Sequence, residues 1–262
     1  MSLWQRRLGG AMTVAAVGAA VVGMSVSPGK RVTQGECRTV NGASVCAWAE
    51  VSGNTLTRFG IDVPMETIQN APNDVPMAWP PVAAATIPLP AVVKSSVGFD
   101  NLTIYWESHG HPPAAFLAPH FDFHFNSMST ADVAAIDCAD LTKPSRLSAQ
   151  YELPDVVIPD MGTLVGLCVP GMGMHSLLAS ELHATTTFQK TMVLGYYHAR
   201  PIFVEPMITR ATLLERRSFS LSIPRVPDEP AGVHAPAGFR AEYDRGAQAY
   251  RFAFTVAASA TR

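Results

Sequence analysis

Five of the eight histidines in this 262-residue chain fall between positions 109 and 175, in H-G-H-P-P (His109, His111), P-H-F-D-F-H-F (His120, His124) and G-M-G-M-H (His175). Neutral imidazole suits zinc, copper, iron or nickel, and an added carboxylate tilts the set toward zinc, iron or manganese. The heptad has a period of two. On a strand, Phe121, Phe123 and Phe125 point to one face, and His120, Asp122 and His124 to the other. A titratable row backed by an aromatic row reads as the wall of a polar pocket. Neighbours two residues apart have Cα atoms about 6.6 Å apart and can share a metal, whereas His120 and His124 are separated by about 13 Å. A single ion is therefore predicted to combine one or both His–Asp neighbours with His111 from the preceding loop and His175 from the Gly-Met-Gly turn. A helical heptad would resemble H-E-x-x-H, but the middle Glu is absent and the Phe alternation favours a strand.

Zinc is the first expectation, with iron, manganese and copper as alternatives; Met172 and Met174 beside His175 admit copper, although buried methionines usually fill gaps. Glu205, closing P-I-F-V-E before Pro206, is a further ligand or general base, so Asp122 and Glu205 are the catalytic candidates. His109, His183, His198 and His234 read as ordinary hydrogen-bonded residues. For His120, Asp122 and His124 the competing reading is an internal His–Asp network without an ion. G-x-x-x-x-G-K-[ST], a G-x-G-x-x-G after a strand, G-x-S-x-G and C-x-x-C are all absent from the sequence.

The elements that must position these residues read as strands. N-L-T-I-Y-W from Asn101 alternates as a half-buried strand, and a loop through His109–Pro113 joins it to the heptad. F-Q-K-T-M-V-L-G-Y-Y and P-I-F-V-E form a hairpin around His198-Ala199-Arg200. The closing strands turn at Asp244-Arg245-Gly246. Short helices are predicted at Met65–Gln69, from Ser129 to about Ile136 with Asp132 in the first turn, and over Thr209–Arg216. Six prolines in 71–91, and Pro144, Pro154, Pro159 and Pro170 later, mark two irregular passages. The whole reads as one mainly β domain over 28–262, an antiparallel barrel or sandwich of eight to eleven strands with Pro-rich insertions and two or three short helices.

Composition bounds the rest. The chain is 48% hydrophobic and 15% charged, enough to bury a core, and its 19 basic and 21 acidic residues give no electrostatic case for nucleic acid. Residues 1–27 carry Arg6 and Arg7, then an uncharged run from Leu8 to Val26, the layout of a cleavable export signal or, less well supported, an N-terminal membrane anchor. Residues 28–262 then hold 17 basic and 21 acidic residues, about −4. Four cysteines agree with an oxidising compartment. In C-R-T-V-N-G-A-S-V-C, a two-residue Asn41-Gly42 turn pairs Cys37 with Cys46 in a non-hydrogen-bonded position, leaving Cys138 for Cys168.

Residues 35–258 resemble a family of uncharacterised exported bacterial proteins, a domain of unknown function typified by a small protein under extracytoplasmic sigma-factor control. The resemblance is carried by G-H-P-P (Gly110–Pro113), A-P-H-F-D-F-H-F (Ala118–Phe125), V-P-G-M-G-M-H (Val169–His175), F-V-E-P-M-I-T-R-A-T-L (Phe203–Leu213) and the strands from Phe239. Family members usually carry Trp where this chain has Ser176. The resemblance names no reaction, but it implies that His111, His120, Asp122, His124, His175 and Glu205 belong to one shared site, with His109 peripheral. Two functions follow as expectations. One is an exported protein whose His/carboxylate pocket binds a divalent metal and works on a small molecule by hydrolytic or redox chemistry. The other is a binding or envelope-stress module in which an apolar cavity or a homo-oligomer surface does the work.

Overall fold

The computed structural model describes residues 29–159, 161–227 and 236–256. The expected export segment 1–27 and His234 lie outside the described residues. Strand β1 (Lys30–Val40) turns at Asn41-Gly42, both at positive φ, into β2 (Ala43–Ser52), and a second tight turn leads to β3 (Thr55–Pro64). Cys37 pairs with Cys46 in this register, and a disulfide joins them. Helix α1 (Met65–Gln69) follows. The first Pro-rich passage is irregular only in part, since it ends in β4 (Ala85–Pro88) and α2 (Ala91–Val97). Its prolines sit where missing N–H groups cost little: Pro88 ends an edge strand, and Pro90 immediately precedes the helix.

Next come β5 (Asn101–Glu107), β6 (His120–Asn126) and α3 (Thr130–Ala134), whose Ser129 cap accepts the Asp132 backbone N–H at 3.1 Å. The second irregular passage holds β7 (Tyr151–Glu152), β8 (Val156–Ile158) and β9 (Gly162–Leu164). Then follow β10 (Met174–Leu178), α4 (Ala179–Leu182), β11 (Lys190–Tyr197), β12 (Arg200–Thr209) and α5 (Arg210–Leu214). The chain closes with β13 (Phe219–Leu221), β14 (Pro236–Asp244) and β15 (Ala249–Val256). Among the described residues, fifteen strands and five α-helices thus replace the smaller numbers expected, because pieces of two to four residues such as β7 to β9 are too short to show a period.

Among the described residues every strand pairing is antiparallel. One sheet runs β1-β2-β3-β15-β14-β13, a second runs β4-β5-β6-β12-β11-β10-β7, and β8-β9 stand apart. Both large sheets keep free edges, so the fold is a sandwich and not a barrel. Phe121, Phe123 and Phe125 of β6 meet Phe59, Phe252 and Phe254 of the other sheet in the core between them; Phe123–Phe252 and Phe125–Phe254 are edge-on pairs at 5.0 and 4.7 Å.

The second sheet is covered on its outer face as well. Asn101–Trp106 and all of β6 are buried, which corrects the half-buried reading of β5. The cover is made by the two long loops, whose Phe116, Ile136 and Leu167 pack on Val193, Phe203 and Met207 of the sheet. The Cys138–Cys168 disulfide ties this cover together across 30 residues. Two disulfides suit an oxidising compartment outside the cytoplasm. Among the described residues no helix is long and apolar enough to cross a membrane.

Candidate metal centre

Strand register assembles most of the site. With β5 beside β6, Glu107 lies opposite His120, Tyr105 opposite Asp122 and Thr103 opposite His124. On the other side of β6, Met207 of β12 lies opposite Asp122, which carries Glu205, two residues back, alongside His124. The Glu205 Oε2 and His124 Nε2 atoms are 3.4 Å apart. His175 enters from β10 opposite Gly195, itself opposite Phe203. Gly195 leaves room for the Phe203 ring, which stacks on His124 at 4.4 Å and touches His175 at 5.2 Å. A β-carbon at Gly195 would stand 2.0 Å from that ring.

His111 arrives from a loop. Gly110, at φ 69°, packs against the Phe116 carbonyl so closely that a β-carbon would come within 2.2 Å of it. This tight fold turns His111 back over the sheet, its ring 4.8 Å from that of His120 and its Nε2 3.8 Å from Asp122 Oδ2.

Three of the four histidines are oriented in the same way. His120 Nδ1–H donates to the Ala118 carbonyl at 2.6 Å, His111 Nδ1–H to Pro112 at 2.9 Å and His175 Nδ1–H to Leu167 at 3.1 Å. A carbonyl only accepts, so the proton sits on Nδ1 and, in the neutral ring, Nε2 keeps its lone pair, the arrangement of metal-binding histidines. His120 Nε2 is buried and has no hydrogen-bond partner, and neither has Asp122 Oδ1, 3.2 Å away. Glu205 Oε2 is a third such atom. All three belong to the candidate ligand sets.

The six expected ligands resolve into two sets, His111, His120 and Asp122, and His124, His175 and Glu205. Within each set one donor atom per residue lies within 4.8 Å of the others. The single cluster expected from the sequence is thus two adjacent triads along one sheet face.

Burial and neighbouring charges govern protonation. Burial pushes His124 down to about 4 despite the Asp122 carboxylate, and pushes His175 to about 3, helped by His124. Burial also opposes a charge on His111, but the nearby Asp122 carboxylate outweighs it and raises His111 to about 9. Asp122 is itself held well below the carboxylate range, burial being overcome by His120 and His111. Glu205 is raised well above it by burial and by the Asp122 carboxylate beside it.

No family model, curated protein or solved structure matches the chain. The site is therefore read from its own chemistry.

Above the floor of His111, Asp122, His124, His175 and Glu205 lies a cavity of about 220 Å³, walled by Trp79, Leu117, Leu164, Val169, Met172 and Met207; His120 is fully buried beneath it. Met172 faces this cavity, whereas Met174 belongs to the core between the sheets. His109, as expected, is peripheral and bonds Asp74 at 2.9 Å. His183 bonds Glu152 at 3.0 Å, and His198 bonds Asp140. Sequence reasoning missed Tyr105 and Glu107, which share the face of Thr103 opposite Leu102, Ile104 and Trp106. The alternation of β5 already encoded them. It missed Phe203 too, two residues before Glu205 and hence on the same face of β12.

Proposed function

We propose that this is an exported protein whose His/Asp/Glu floor binds divalent metal, zinc by first choice, beneath a cavity that takes a small, largely apolar molecule. Metal-bound water would support hydrolytic chemistry on such a molecule, and iron, manganese or copper would bring redox chemistry to the same donors. The observation that carries the reading is the gathering of donor atoms into two sets, His111, His120 and Asp122, and His124, His175 and Glu205, with the atoms of each set within 4.8 Å of one another and His120 Nε2, Asp122 Oδ1 and Glu205 Oε2 buried without hydrogen-bond partners. Export is supported by the two disulfides, and the resemblance to exported bacterial proteins agrees.

The test is metal analysis of protein purified without a polyhistidine tag and dialysed. Retention of about one or more ions per chain, reduced in His120→Ala and in His175→Ala, is expected. Less than about 0.1 ion per chain, unchanged by either substitution, overturns the proposal. The apolar walls of the cavity favour a second reading, ligand binding without turnover. Retention of an apolar ligand by metal-free protein as tightly as by loaded protein would select it.

A further inference from the structure

We propose that the centre is built for two divalent ions side by side, one held by His111, His120 and Asp122 and the other by His124, His175 and Glu205. This rests on the metal-binding reading and goes beyond it in number and arrangement. Each triad is complete by itself, with two imidazoles and one carboxylate, the protein-ligand count of a site that leaves a position open toward a cavity. Each triad also contains at least one histidine whose Nδ1 is anchored to a backbone carbonyl, His111 and His120 in the first and His175 in the second. The strand itself separates the triads. His120 and His124 are four residues apart on β6, about 13 Å between Cα atoms, so one ion cannot take both at bonding distances of about 2.0–2.1 Å without a bulge. The paired register of β6 with β5 runs unbroken from Asn101–Asn126 to Glu107–His120, leaving no bulge there.

Between the triads stand the two carboxyls, Asp122 and Glu205, adjacent and almost wholly buried. Two carboxylates side by side in a water-poor site repel one another, and two cations flanking them remove that repulsion.

The full chain, untagged and stripped of metal, is loaded with zinc or cobalt(II), dialysed and measured for metal per chain. Wild type should hold about two ions; His120→Ala and His175→Ala should each hold about one, and the double variant none. Conservative His120→Gln and His175→Gln variants, checked for native circular dichroism, guard against loss by unfolding. Their cobalt(II) absorption spectra should sum to that of wild type. One ion in wild type that either substitution abolishes overturns the two-ion centre while leaving the single-ion reading intact. Two ions that neither substitution removes would place the metal elsewhere and overturn it as well. No bound ion would overturn both readings.

Discussion

At the scale of single residues, the site stores its acid sensitivity in histidines that burial keeps neutral. His124 and His175, depressed to about 4 and about 3, stabilise the metal-free fold above the unfolded value of 6.5. That contribution is lost as pH falls through their folded values, because the unfolded chain takes protons that the native sites refuse. His111, raised to about 9, has the opposite sign: its contribution is full below 6.5 and is lost as pH climbs toward 9. Glu205, raised as well, works against the two depressed histidines over the acid range, so their share is read as a difference. Metal-free His175→Gln should lose less stability than wild type between pH 6.5 and 4, by an amount on the order of a few kcal/mol, in chemical denaturation at each pH. Equal losses would show that His175 is not held neutral. A second expectation concerns Ser176, fully buried with an unpartnered hydroxyl. Ser176→Ala should be neutral or raise stability by about 1 kcal/mol in urea unfolding, since it removes an unsatisfied polar group. That the candidate ligand residues gather on one face was legible from the alternation of the heptad and from histidine spacing. Their division into triads was not, because it depends on where β12 and β10 bring Glu205 and His175.

At the scale of elements, two glycines decide how strands and loops deliver the ligands. Gly195→Ala would drive a β-carbon into the Phe203 ring, which stacks on His124 and touches His175. A loss of about 1–3 kcal/mol in thermal or urea unfolding is expected, with weaker metal binding at the second triad and little change at the first. Adding Phe203→Leu should recover part of that stability; no recovery would show that the clash lies elsewhere. Gly110→Ala should do the converse, loosening the loop that carries His111 and the Ala118 carbonyl behind His120. Competition titration of the single-triad variants with a chelating dye would separate the two effects. Local patterns did predict elements here: the Asn41-Gly42 turn gave the register of β1 and β2, and Ser129 gave the cap of α3. Gly195 carried no such signal, since its role arises across two strand pairings.

At the scale of the whole molecule, one disulfide serves the site and the other does not. On the chain-entropy model, closing the Cys138–Cys168 loop contributes about 3.6 kcal/mol and closing Cys37–Cys46 about 2.7 kcal/mol. Cys168 adjoins Leu167, whose carbonyl holds His175, whereas Cys37 and Cys46 lie on the far sheet. Replacing Cys138 and Cys168 together by Ala should therefore lower stability and weaken the second triad about tenfold or more, measured by zinc competition. Replacing Cys37 and Cys46 should lower stability and leave metal content unchanged. The mainly antiparallel β class was legible from alternation, and the disulfide pairing from the hairpin; the choice of sandwich over barrel was not, because it depends on the free edges of the two large sheets. The cover over the second sheet was not, because its proline-rich loops have no period and acquire order only by packing on that sheet. Its presence gives β6 two interiors, one aromatic and one liganding. A slip of one residue in the pairing of β6 would turn the three phenylalanines toward the candidate metal sites and the two histidines with Asp122 into the apolar core. Under the proposed metal binding, only the correctly paired chain could hold metal, so ions supplied during refolding would act as proofreaders of strand alignment.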